Sequence, residues 1–128
     1  MFRRTMAGGL ALAAAGLLLA AGPAAHADIK APYARAGAIV DADGSLNDGK
    51  NVIKSWRAGT GQYCVQAAHN VDVRGALIQI TPRQALRLPH IGYRYPSTAC
   101  PKANAITVNV YNTSTGRLAD GGFDLSIA

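Results

Sequence analysis

Glutamate is absent from this chain: all seven of its acidic residues are aspartate. That removes the bidentate carboxylate that closes an EF-hand loop and the H-E-x-x-H zinc site of metalloproteases. Cysteine is nearly absent too. Cys64 and Cys100 stand alone, so no C-x-x-C exists and no cysteine-rich metal centre can form. Aromatic side chains make up 6% of the residues, with Trp56 the single tryptophan. No serine sits in a G-x-S-x-G turn. No motif calls for a cofactor or a metal. Beyond residue 27, no window repeats apolar residues at helical spacing over several turns. These absences exclude the common metal-dependent and nucleophile-elbow hydrolases and point away from helical folds.

The one long apolar run is at the start. Arg3 and Arg4 precede a 16-residue stretch of Ala, Gly and Leu from Ala7 to Gly22, and Ala25-His26-Ala27 supplies small residues before Asp28. The run falls short of the roughly 20 residues a membrane span needs. An Ala-x-Ala site, rather than a basic stop, follows it. Residues 1–27 therefore read as a secretory signal, and the protein is expected to be secreted and extracellular. Arg3-Arg4 also fits a twin-arginine signal, but Thr5, Met6 and Ala7 lack the bulky apolar follow-up, so the export route stays open.

Residues 28–128 remain, enough for a single β-domain and too few for two. In that segment 11 Lys and Arg face 7 Asp. This mild basic excess suits attraction to an anionic polymer, or simply keeps a small domain dispersed. The expected partner is an anionic cell-surface polymer or a polysaccharide rather than nucleic acid, with no membrane association once the signal is cleaved. An exported chain with two cysteines spends them on a bridge, so Cys64 and Cys100 are expected to pair. The loop-entropy model puts such a bridge at about 4 kcal/mol.

The rest is a succession of short alternating runs separated by Gly, Asn, Asp and Pro. Gln62–Ala67 places Tyr63, Val65 and Ala67 on one face and Cys64 and Gln66 on the other, as a half-buried strand. Ile106, Val108 and Val110 alternate with Thr107, Asn109 and Tyr111. Phe123, Leu125 and Ile127 alternate with Asp124 and Ser126. Tyr33–Val40, Asn51–Arg57, Val71–Val73, Ala76–Thr81 and Leu86–Tyr95 are weaker strand candidates. Asp41–Ser45 and Asn47-Asp48-Gly49 read as turns, and Pro82–Leu88 is the one stretch that could make a helical turn. The fold expected is a small antiparallel β-sandwich or barrel of about seven short strands.

The order of signals carries a resemblance. Ala34-Arg-Ala-Gly-Ala-Ile-Val-Asp-Ala-Asp-Gly44 leads to Val52-Ile-Lys-Ser-Trp-Arg57 and Gly59-Thr-Gly-Gln-Tyr-Cys-Val65. Val108-Asn-Val-Tyr-Asn112, Gly116, Asp120 and Phe123-Asp-Leu125 close the chain. This pattern, A-D-G … G-T-G-x-Y-x-V … A-D-x-x-F-x-L, resembles small secreted actinobacterial β-domain proteins and the tips of phage tail-fibre or collagen-like proteins. The resemblance implies a β-domain and no particular chemistry. Cys64 inside the G-T-G-Q-Y-C-V strand departs from the pattern, so no disulfide topology carries over.

Few residues offer chemistry. Asp41 and Asp43 lie in an apparent turn and lack the further oxygen ligands of a calcium loop or the apolar pocket of a glycosidase acid. His69 and His90 have no second ligand at metal spacing. Asn112-Thr113-Ser114 matches a glycosylation sequon and equally a hairpin turn. The densest candidate is Arg83, Arg87, His90, Tyr93, Arg94 and Tyr95, cations interleaved with rings, which can hold a polymer by charge and stacking. The competing reading is a proline-stiffened edge segment with solvated arginines and tyrosines that cap the core. Three functions follow. The first is a non-catalytic binding or surface-interaction module. The second is a small secreted hydrolase built from a spatial Ser/His/Asp set. The third is a protease inhibitor presenting the 82–96 segment.

Overall fold

Apolar alternation dictates the architecture. The computed structural model describes residues 29–128, so the secretory signal read at 1–27 lies outside the described residues. Within them are eight strands: β1 (Ala36–Val40), β2 (Leu46–Lys50), β3 (Val52–Gly59), β4 (Gln62–Ala67), β5 (Ile78–Arg83), β6 (His90–Arg94), β7 (Ala105–Tyr111) and β8 (Gly122–Ile127). They form two four-stranded antiparallel sheets, β2-β1-β8-β5 and β3-β4-β7-β6. Two such sheets, each with one apolar face, bury those faces against one another as a sandwich. The core comprises Val40 from β1, Tyr63 and Val65 from β4, Ile106, Val108 and Val110 from β7, and Phe123, Leu125 and Ile127 from β8.

The chain changes sheet at Asn51 in one residue. Its φ of 54° is the left-handed conformation that Asn tolerates. Its side-chain amide donates to Arg35 O at 2.7 Å, which ties the crossing down. The Asn47-Asp48-Gly49 turn read from the sequence is instead the middle of β2. Gly49 opposes Ala38, and a Cβ there would meet the Leu46 side chain at 3.3 Å. Gly49 is a close-packing glycine. The reversal is already complete at Asp41–Ser45, where Asp41 N and O bond Ser45 O and Gly44 N at 2.9 and 2.8 Å.

Four other expectations differ. Pro82–Leu88 forms no helical turn: Pro82 and Arg83 end β5, Gln84 has φ 56°, and 84–89 is an irregular loop. Val71 and Val73 are buried but not in a strand, and the Leu86–Tyr95 strand contracts to β6. Lastly, β4 is buried on both faces rather than half-buried.

Its outer face is covered by the chain from Ser97 to Asn104, held by the Cys64–Cys100 disulfide. Gln66 donates to Ala103 O at 3.0 Å, and Asn104 donates to Ala68 O and Val71 O, both at 3.0 Å. Cys64, Cys100 and Ala105 form a second, smaller core with Trp56 and Ala99 against it. Thr107, opposite Cys64 in register, is fully buried under this cover, and its hydroxyl has no hydrogen-bond partner. Thr107→Val keeps the shape and removes a polar group that burial penalises. It is expected to raise stability by about 1 kcal/mol in urea unfolding. A decrease would mean that the hydroxyl is satisfied.

Candidate functional site

The resemblance residues meet in one place. Tyr63 packs edge-on against Phe123 with ring centroids 5.5 Å apart. Its hydroxyl donates to Ala42 O at 2.7 Å and accepts from Gly121 N–H at 3.0 Å. Burial of the ring pushes the phenol above its ordinary pKa, so the hydroxyl keeps the proton it donates. Asp120 accepts from Gly61 N–H at 2.7 Å and pairs with Arg57 at 3.1 Å. The Gly61 amide, and after it the Arg57 guanidinium, hold the Asp120 carboxyl below its ordinary value. Gly61 has φ +65°, and a Cβ there would lie 2.6 Å from Ala119 N and 2.7 Å from Val110 O. Only glycine lets the β3–β4 turn sit this close to the lead into β8.

These bonds stitch the Asp41–Ser45 turn to the 119–122 segment at one end of the sandwich. At that end lies a cleft of about 620 Å³, within the range of ordinary ligand sites. Val40 and Val110 contribute apolar surface at its base. Asp41, Ala42, Asp120 and Gly121 supply one wall, and Arg83 to Pro89 supply another. Tyr63 therefore fixes the cleft from behind, since both of its hydroxyl partners, Ala42 and Gly121, line it.

The six cluster residues do not form one site. Arg83 and Arg87 line the cleft; Arg83 pairs with Asp124 at 2.8 Å and Arg87 donates to Ser114 Oγ at 3.2 Å. His90 opposes Tyr111 in register, with ring centroids 5.9 Å apart. Arg94 is at the other end of β6, roughly 13 Å along the strand at 3.3 Å per residue. Tyr93 opposes Val108 in register but is 43% exposed, whereas Tyr95 packs against the core with the Arg74 guanidinium 5.8 Å from its ring. Of the two tyrosines only Tyr95 caps the core edge, and the cations divide between two ends.

The remaining candidates take structural places. The Ser45 hydroxyl and N–H bond Asp43 Oδ1 at 2.7 and 2.9 Å and hold its carboxyl below the ordinary value. Such a carboxylate does not donate a proton near neutral pH. Asn112 Oδ1 accepts from Ser114 N and Thr115 N at 2.8 and 3.3 Å, an Asx turn. His69 is exposed beyond the end of β4. Among the described residues, no histidine hydrogen-bonds an aspartate or serine, and no group of three His, Cys or Asp residues is placed to hold a metal. The Ser/His/Asp set expected of a hydrolase is not assembled there. No protein family, curated protein or solved structure matches this chain.

Sequence reasoning missed the cleft because its lining comes from five separated stretches of the chain. The turn read at Asn112-Thr113-Ser114 lies in the 112–118 loop, which frames the same end. Thr113 Oγ1 donates to Leu88 O at 3.5 Å, and Leu118 bridges to Tyr111. No alternation marks that loop. The signal available was a negative one: residues 82–96 and 105–119 contain no acidic side chain.

Proposed function

We propose that this protein is exported and acts without catalysis, as a surface-interaction module that holds an anionic cell-surface polymer at the open end of its sandwich. The observation that carries this reading is the cleft, whose position is preset by the Tyr63 and Asp120 bonds and whose outer wall presents Arg83 and Arg87. A binding loop on a rigid sheet scaffold is a common arrangement for recognition. The buried Cys64–Cys100 bridge suits an oxidising compartment, and no helix of the described residues is long and apolar enough to cross a membrane. The resemblance to secreted β-domains and fibre tips supports the same reading.

The test is retention of residues 28–128 on isolated cell walls, heparin, chitin and cellulose across a salt gradient. Retention on the charged matrices that falls steeply with salt is expected. Salt-insensitive retention on chitin or cellulose would replace the polyanion with a neutral polysaccharide. Passage through every matrix would contradict the binding reading.

A further inference from the structure

The loop between β5 and β6 does something a polyanion does not need. Leu86 is fully exposed, at 103% of its reference area, and Leu88 is 77% exposed. Arg87 stands between them. Across from this loop, Leu118 is 39% exposed and follows Arg117. The two loops are joined rather than merely adjacent. Arg87 donates to Ser114 and Thr113 donates to Leu88 O, while His90, Tyr111 and Leu118 lie side by side through the β6–β7 pairing and the Tyr111–Leu118 bridge.

Small soluble domains seldom hold two leucines almost wholly in water within three residues, and a clustered apolar projection marks an interaction surface. Neither loop contributes a carboxylate. At this end, Asp120 is paired with Arg57 and Asp124 with Arg83, while Asp43 is bonded within its own turn. Asp41, on the opposite cleft wall, accepts from Asn47 and keeps its charge, as does Asp43. The two loops that bear the leucines themselves carry only cations, Arg87 and Arg117, beside the apolar side chains.

We infer that this two-loop corner seats on an anionic lipid surface, with Leu86, Leu88 and Leu118 entering the headgroup–acyl boundary and Arg87 and Arg117 at the lipid phosphates. The inference rests on reading the protein as a surface-interaction module and names the surface. It also departs from the sequence expectation of no membrane association. A soluble polyanion answers the arginines but offers the leucines no apolar phase, and a neutral polysaccharide answers neither group well. An anionic bilayer interface answers both. Three leucines are a small anchor, so the attachment is weak and reversible, and it strengthens where many copies of the lipid are presented.

Co-sedimentation with phosphatidylcholine vesicles, with and without phosphatidylglycerol, tests this on residues 28–128. Binding that requires phosphatidylglycerol is expected. The Leu86→Ser/Leu88→Ser variant should bind at least tenfold more weakly. Arg87→Ala/Arg117→Ala should lose the preference for phosphatidylglycerol. All four side chains are exposed and the variants give up only the exposed Arg87–Ser114 hydrogen bond, so the thermal unfolding of both should stay close to that of wild type. A leucine variant that binds vesicles as well as wild type overturns the inference. So does leucine-dependent self-association in sedimentation without vesicle binding, which would assign the corner to a second copy of the chain. Retention on heparin or cell walls with no vesicle binding overturns the lipid assignment alone and leaves the surface-module reading standing. Absence of both overturns the two together.

Discussion

Replacing Cys64 and Cys100 together by alanine is expected to lower the unfolding free energy by about 4 kcal/mol. The sequence separation of 36 residues sets this scale, because the bridge removes the entropy that the open loop would have in the unfolded chain. A second loss acts in the same direction. Without the bond, the Ser97–Asn104 cover is held over β4 and β7 by the Gln66 and Asn104 hydrogen bonds, and its release would wet Ala105 and Thr107. For a domain of this size the change corresponds to a fall in Tm of roughly 15–30 °C. Equilibrium urea unfolding of the variant measures it. Both sulfurs are buried, at 0% and 3% exposure, so a reductant alone should act slowly on the folded protein and quickly once it is unfolded. A variant within 1 kcal/mol of wild type would mean that the covering segment is held by its hydrogen bonds, and the two-core account of the fold would fail.

Tyr63→Ala should cost about 3–5 kcal/mol, the range for removing a buried aromatic ring. The ring is fully buried against Phe123, in the core between the two sheets. Tyr63→Phe separates the two roles of the residue. It keeps the ring and deletes the hydroxyl that joins Ala42 O to Gly121 N–H, two part-buried groups on the cleft wall. The expected cost is about 0.5–1.5 kcal/mol. Beyond stability, Tyr63→Phe should raise amide hydrogen exchange at Gly121 and at the Asp41–Ser45 turn, which the hydroxyl holds together. Wild-type exchange in that variant would show that the cleft walls do not depend on Tyr63.

The strands that pack one face on the core were legible, because period-two alternation is a direct consequence of a sheet with one apolar face. Thus β8 appears where Phe123–Ile127 placed it, with its alternation kept. Strand β7 appears where Ile106–Tyr111 placed it, although its second face is buried too, with Thr107 and Asn109. The pairing of Cys64 with Cys100 was legible by number alone. Gly49 was misread because Asn-Asp-Gly is strong local turn chemistry, and the tertiary need for a small residue against Leu46 outweighed it. Pro82–Leu88 was misread because Gln, Ala and Leu favour a helix. The six residues between the ends of β5 and β6 cannot repay helix nucleation.

The candidate site was legible only in part. Arg83 and Arg87 reach the cleft, but an extended strand carries side chains apart at 3.3 Å per residue, so a cluster in sequence became two groups in space. The residues that complete the end of the sandwich, Asp120 and the 112–118 loop, are brought in by the β7–β8 connection. Nothing local announces that. The G-T-G-x-Y-x-V and A-D-x-x-F-x-L signals implied only a β-domain. In space they are the bonds that set the cleft: Gly61 to Asp120, Tyr63 to Gly121 and Tyr63 to Phe123.

On the proposed reading the working surface is this end of the sandwich, not the whole β6 edge. Two variants compared in the salt-gradient retention experiment separate these surfaces. Arg83→Ala/Arg87→Ala removes the cations at the cleft, and Arg94→Ala removes the exposed cation at the far end of β6. The predicted result is early elution of the first variant from cell walls or heparin and near wild-type elution of the second. Equal losses from the two, or a larger loss from Arg94→Ala, would contradict the account and move the interaction surface along the edge strand.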